Sequence, residues 1–351
     1  MKRFIALTLA ALFCAIPLIS LSACSQQTET LTVCNWGEYI SDGTDGYMDV
    51  IAEFEERFHV KVDYVLAETN ETLYSMMKSG GGDYDVIIPS DYMIARMIQE
   101  GMLAKLDYNN IPNFETNIMP QFKNLYYDAK NEYSVPYFWG TVGLLYNEEL
   151  YTEEVTGWDN LWCDGYKNQV LMFDNPRDAF AVALQKLGYS INSENEAEWR
   201  EAADLLKSKK FDYCMDEFFD KMPGESAVLC AYYAGDCYSV MQENESLRFF
   251  RPEHTNVFND AMCVPATSAH KELAEKFINF MLEKDVGLAN TEYLGYSTPN
   301  KLVFDALPEE MKENDDLYPE MQDTWEYMHL LPENIENLMN ELWLEIKAEN
   351  K

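Results

Sequence analysis

Basic residues are scarce in this chain of 351: 26 Lys and Arg stand against 61 Asp and Glu, a formal net charge of −35 at pH 7. Such a field repels nucleic acid and anionic lipid headgroups and draws in small cations. Polyanion binding is therefore excluded. Histidine is scarcer still, with His59, His254, His270 and His329 scattered along the chain, and there is no Cys-x-x-Cys pair. A zinc site of ordinary spacing is not expected. No P-loop, G-x-S-x-G or H-E-x-x-H motif occurs, and the two S-x-x-K matches, Ser75–Lys78 and Ser268–Lys271, lack companion motifs. Catalysis and a cofactor are accordingly not expected. There is no solenoid repeat, no low-complexity segment, and after residue 21 no apolar run of membrane-spanning length.

What is present begins with a targeting signal. Lys2 and Arg3 precede the apolar run Phe4–Leu21, and Leu21-Ser22-Ala23-Cys24 has the form of a bacterial lipobox. Residues 1–23 read as a lipoprotein signal peptide, Cys24 as the lipidated first residue of the mature chain, and residues 24–30 as a polar tether. An uncleaved transmembrane anchor is the alternative, disfavoured by the small residues before Cys24. The expected location is the periplasmic or extracellular face of the cytoplasmic membrane. Apart from Cys14 and Cys24, six cysteines remain (Cys34, Cys163, Cys214, Cys230, Cys237, Cys263). They permit three disulfides of undetermined connectivity.

The length predicts two domains. Leu31 and Val33 mark a buried strand, and Tyr47–Phe58 carries apolar residues at helical spacing (Met48, Ile51, Phe54, Phe58). Val60–Leu66 alternates as a strand, Glu71–Lys78 is a short helix, and Tyr84–Pro89 is a near-continuous apolar strand. Ser90 is placed to cap a helix with Ile94, Met97, Ile98 and Met102 on its buried face. This order gives a doubly wound domain, whose ligands sit beyond the carboxyl ends of the strands. Ser134–Tyr146 is extended and aromatic, with hinge points at Gly140 and Gly143. A second α/β pattern follows: strands at 170–173, 227–233, 248–251 and 261–265, helices at 178–187, 196–207, 236–243, 271–282 and 286–293, and a helical tail.

Trp36, Glu38 and Tyr39 follow the first strand as an aromatic–acid–aromatic cluster, which suits a cation because ring faces and carboxylates attract positive charge. A core Trp beside a solvated Glu is the alternative. Asp91 lies in a first helical turn, where it either meets a ligand or stabilises the helix dipole; either way it disfavours an anionic cargo. Trp139 reads as core at the junction of the domains.

With Asn35-Trp36-Gly37-Glu38-Tyr39, Pro89-Ser90-Asp91-Tyr92, Val135–Gly140 and Leu294–Asn300 taken in order, the chain resembles the extracytoplasmic spermidine/putrescine-binding proteins of ATP-driven uptake systems. Weaker matches lie at Asp174–Asp178, Ala231–Gly235 and Phe258–Pro265. The resemblance implies an α/β, two-lobed periplasmic-binding-protein-like fold of type II, each lobe a mostly parallel sheet flanked by helices, with the ligand in the interlobe cleft. The implied lobes are residues 31–137 plus 261–296 and residues 138–260 plus 297–351. It implies a monomer that binds a polyamine, does no chemistry, and delivers its cargo to a membrane permease.

Carried over position by position, the implied ligand contacts are Trp36, Glu38, Tyr39, Ser90, Asp91, Tyr92, Asp174, Asp178, Tyr233, Phe258, Asp260 and Tyr296. Tyr233 and Phe258 stand where the family commonly has Trp, Asn175 where it is often acidic, and Asp178 where Glu is usual. These departures leave the choice between putrescine and spermidine open. The residue types suit the cargo: a methylene rod needs flat walls, and its ammonium groups need carboxylates. Cation–π contacts contribute ~0.5–2 kcal/mol each and charge-assisted hydrogen bonds ~1.5–3. The alternatives are a same-fold protein for a sugar, an amino acid or a metal, or a secreted hydrolase.

Overall fold

Thr30–Asn35 (β1) is the first regular element of the computed structural model, which describes residues 28–80 and 83–350. The signal peptide, Cys24 and most of the expected tether lie outside the described residues. After β1 come helix Val50–Phe58 (α1), strand Lys61–Leu66 (β2), helix Asn70–Lys78 (α2), strand Val86–Ile87 (β3) and helix Asp91–Gln99 (α3). β2, β1 and β3 pair in parallel, as the alternating pattern predicts. The Asp49 carboxylate accepts from the Ala52 amide at 2.9 Å and starts α1, which buries Val50 and Phe54. Ser90 occupies the cap position of α3 without capping it; its hydroxyl accepts instead from Asn70 Nδ2 at 3.0 Å, tying α2 to the start of α3. The expected strand Tyr84–Pro89 is buried throughout, but only Val86 and Ile87 pair.

After a short helix, Asn113–Asn117 (α4), the chain enters the 14-residue strand Ser134–Asn147 (β4). The second half adds strand Val170–Phe173 (β5), helices Pro176–Lys186 (α5) and Glu196–Lys207 (α6), and strand Asp212–Cys214 (β6). Helix Phe218–Lys221 (α7), strand Leu229–Tyr233 (β7), helix Ala234–Met241 (α8) and strands Leu247–Phe250 (β8) and Asn256–Cys263 (β9) follow. The chain ends with helices Lys271–Met281 (α9), Lys284–Leu294 (α10), Lys301–Ala306 (α11) and Glu309–Lys312 (α12), strand Glu326–Tyr327 (β10) and helix Glu333–Glu349 (α13).

The sheet order is β2-β1-β3-β9-β4-β7-β5-β6. Parallel triplets at either end flank an antiparallel middle, because β4 serves both halves. Its first residues, Ser134–Thr141, pair with β9, and its last pair with β7 and β8. One core gathers Phe173, Phe180, Trp199, Phe218 and Leu338; another gathers Val33, Phe54, Phe277 and Phe280. Gly140 and Gly143 lie inside β4 and give room to neighbouring rings: a Cβ would meet the Phe258 ring at 2.9 Å and the Phe249 ring at 2.3 Å respectively. All six cysteines of the described residues are free, five of them buried, so no disulfide joins them. They fill core space as small apolar side chains. Among the described residues no helix is long and apolar enough to cross a membrane.

Candidate functional site

Each parallel triplet ends its strands toward the same cleft, and the turns beyond those ends carry the polar side chains, as open α/β sheets require. A cavity of about 270 Å³ lies there. From the β1, β3 and β9 side it is lined by Trp36, Tyr39, Ser90, Asp91, Tyr92, Phe258 and Asp260; from the β5 and β7 side by Asn175, Asp178, Tyr232, Tyr233 and Asp236. Tyr296, just past α10, completes the wall. Among the described residues the lining holds six carboxylates (Glu68, Asp91, Asp178, Asp216, Asp236, Asp260) and no Lys, Arg or His.

Three of those carboxylates are each held by a tyrosine. Tyr39 donates to Asp260 Oδ2 at 2.7 Å, Tyr233 to Asp178 Oδ2 at 2.8 Å, and Tyr296 to Asp236 Oδ2 at 2.8 Å. The pairing aims acids and rings at the same space. Tyr39 meets Tyr296 edge-on at 4.9 Å between centroids, and Tyr233 meets Phe258 at 5.4 Å, so the rings form a continuous wall. Two glycines permit it: Gly140 lies beneath Phe258, and a Cβ on Gly235 would stand 2.5 Å from the Tyr296 ring. Asp91 is wholly buried, accepting from its neighbour Tyr92 N at 2.7 Å and from Asn259 N at 3.3 Å.

Burial raises Asp91, Asp178, Asp236 and Asp260. Asp178 and Asp236 are each pushed up to about 7, and Asp260 to about 6, by loss of water; the tyrosine hydroxyls pull Asp178 and Asp236 partly back, and Ser90 and then Tyr39 do so for Asp260. Asp91 is raised as well, by burial first and then by the charge of Asp260. Asp260 Oδ1 and Asn256 Oδ1 are buried acceptors without a partner among the described residues. The arrangement is short of positive charge and of donors, and a ligand carrying both would complete it.

Ten of the twelve expected contacts line this cavity. Glu38 does not: it sits at φ 48° in a left-handed turn and is exposed, acting on Asp236 only through space. Asp174 does not either, because it ion-pairs with Lys347 of α13 at 2.7 Å. Trp139 packs on Phe122 with centroids 5.3 Å apart, a core residue. Sequence reasoning missed Asp236, Asp216 and Asn175 as lining residues. A signal for Asp236 was available, since Tyr233–Asp236 leaves β7 and opens α8 just as Ser90–Tyr92 opens α3.

A family model for bacterial extracellular solute-binding proteins matches residues 49–319. The chain belongs to that family. A solute-binding protein holds its ligand and does not transform it, which accounts for a lining rich in acids yet free of a nucleophile–base pair. Among relatives, the spermidine/putrescine-binding periplasmic protein of Salmonella typhimurium is 33% identical over 308 residues, covering 86% of each chain. The spermidine/putrescine ABC transporter substrate-binding protein of Streptococcus pneumoniae, solved with calcium and HEPES, is 35% identical with a TM-score of 0.75, covering 92% of this chain and 100% of the other. A Listeria monocytogenes protein described as a candidate spermidine/putrescine ABC transporter is 34% identical with a TM-score of 0.86, covering 91% and 99%. This solute-binding protein is thus a two-lobed α/β protein that works outside the cytoplasm.

Proposed function

We propose that this solute-binding protein captures a polyamine, spermidine or putrescine, in the cleft and delivers it to an ATP-driven membrane permease. The observation that carries the reading is a cavity with six acids, a wall of rings and no basic side chain. An amino acid or an anion would bring negative charge against those acids, and a neutral sugar would leave them unpaired. The names of the relatives from Salmonella and Streptococcus favour the same cargo.

The proposed contacts are Trp36, Tyr39, Ser90, Asp91, Tyr92, Asp178, Tyr233, Phe258, Asp260 and Tyr296, joined by Asp236, with Glu38 and Asp174 contributing at a distance. Proposed lobes are residues 31–137 plus 261–296 and residues 138–260 plus 297–351; the separation of the Phe173–Phe180–Trp199 core from the Val33–Phe54–Phe277 core supports that division, although Phe138, Trp139, Val257 and Phe258 pack in the second of these and Leu307, Met311 and Leu317 pack against Leu288 of α10. Anchoring through a lipid on Cys24 and a monomeric state belong to the same proposal. Calorimetric titration tests the cargo. Spermidine or putrescine is expected to bind; no heat from either while a neutral sugar binds would overturn the reading.

A further inference from the structure

A second, small cavity of about 20 Å³ adjoins the cleft through Tyr92, which lines both. Glu71, Tyr92 and Arg96, from α2 and α3, form one side; Arg177, His329 and Glu336 form the other. Arg177 is 1% exposed. Its Nη1 donates to the Ile191 carbonyl at 2.7 Å and its Nη2 to Asn192 Oδ1 at 3.0 Å, and its guanidinium lies 5.9 Å from the centre of the Tyr92 ring. The Tyr92 hydroxyl in turn donates to Glu71 Oε1 at 2.9 Å. Outside this layer, Arg96 of α3 is ion-paired with Glu336 of α13, 240 residues away in sequence.

The two helices belong to different bodies of packing. α3 buries Met93, Ile94 and Met97 with Cys34 and Ile87, whereas α13 buries Ile335, Leu338 and Met339 with Phe180 and Trp199. β4 and β9 join those bodies covalently; Arg96–Glu336 joins them through space, at a different place on the rim. Arg96 also stacks 3.9 Å from the Tyr74 ring and pairs with Glu100 at 3.2 Å, both near its own helix. If α3 and α13 separated, Arg96 would keep those partners, so the contact can break without stranding a charge.

We propose that Arg96–Glu336, backed by Arg177 against Tyr92, is a latch that favours the closed cleft and sets how long cargo is retained. This rests on the cleft being the cargo site proposed above. The latch touches the cargo wall directly, since Tyr92 belongs to both and Arg177 precedes Asp178.

The test is charge reversal in the full-length protein: Arg96→Glu, Glu336→Arg, and the two combined. None of these residues lines the main cavity. Each single reversal is expected to speed spermidine dissociation, read by stopped flow, by about two- to fivefold, the scale of one partly exposed ion pair. Each should also enlarge the radius of gyration of the unliganded protein in small-angle scattering, and the double reversal should restore both. Singles that change neither quantity, or a double that restores neither, overturn the latch. The scattering arm needs no cargo, so failure of the polyamine reading, seen as no spermidine binding by the unaltered protein, leaves the latch to be judged on scattering alone.

Discussion

The Tyr39 hydroxyl donates to Asp260 Oδ2 at 2.7 Å, linking the turn after β1 to the middle of β9 across 221 positions of sequence. One carboxylate oxygen is thereby satisfied and oriented; the other, Oδ1, is buried without a partner among the described residues, and the proposed cargo would supply one. Asp260→Asn should weaken spermidine binding by about 1–3 kcal/mol, because a neutral amide cannot pair with the ammonium. Tyr39→Phe removes only the orienting bond and should cost less, about 0.5–1.5 kcal/mol. Calorimetry reads both, and unchanged affinity in Asp260→Asn would remove that residue from the site.

Asp236 and Glu38 form a second contrast. Asp236→Asn should reduce affinity about as much as Asp260→Asn, since Asp236 lines the cavity and is buried. Glu38→Gln, on an exposed turn, should stay within about 0.5 kcal/mol of the unaltered protein. The reverse order of effects would mean that the resemblance identified the contact better than the cavity does.

Acidity should control both the empty protein and its cargo. Asp178, Asp236 and Asp260 have folded values of about 7, 7 and 6 against an ordinary 3.8. Raised values mean that the folded protein holds protons the unfolded chain has released. Their stabilising contribution is therefore complete below about pH 4 and is lost as pH rises to about 7. A bound polyamine favours the ionised forms, so binding should release protons near pH 6–7 and strengthen from pH 5.5 to pH 8. Titrations in two buffers of different ionisation enthalpy count those protons. The rise in Tm produced by spermidine should likewise grow with pH, and should grow less in Asp236→Asn.

Gly235→Ala tests the ring wall without touching a charge. The added Cβ would stand 2.5 Å from the Tyr296 ring, which is part of the cavity wall. Overpacking of this kind costs about 1–3 kcal/mol. Weaker spermidine binding is expected, with the Tyr296–Asp236 bond disturbed.

Much of this was legible in the chain itself. The parallel triplets follow from apolar runs alternating with helical periods, and the strand-end rule pointed to Trp36–Tyr39 and Ser90–Tyr92. Long-range partnership was not legible. Nothing local says that Asp174 is engaged by Lys347 while Asp178, four residues on, faces the cavity. Nor does a Gly-x-x-Gly spacing reveal that Gly140 and Gly143 accommodate the rings of Phe258 and Phe249. Cysteine count was equally mute: six thiols in an exported chain permit three bridges, and the fold keeps all six apart, five of them buried. Reducing agent should accordingly leave Tm unchanged, and the denatured mature protein should titrate all six thiols without prior reduction.

Arg177 and Asp178 are neighbours on the first turn of α5, yet the guanidinium faces the small cavity while the carboxylate faces the cleft. Consecutive helical residues point about 100° apart, so a single step of helical phase decides which charge meets the solute. A one-residue insertion between β5 and this turn would carry Arg177 into the position that faces the cleft and Asp178 out of it. One such event would set a base against the remaining acids Glu68, Asp91, Asp216, Asp236 and Asp260 and weaken the cleft's hold on a cation, with every strand left in place.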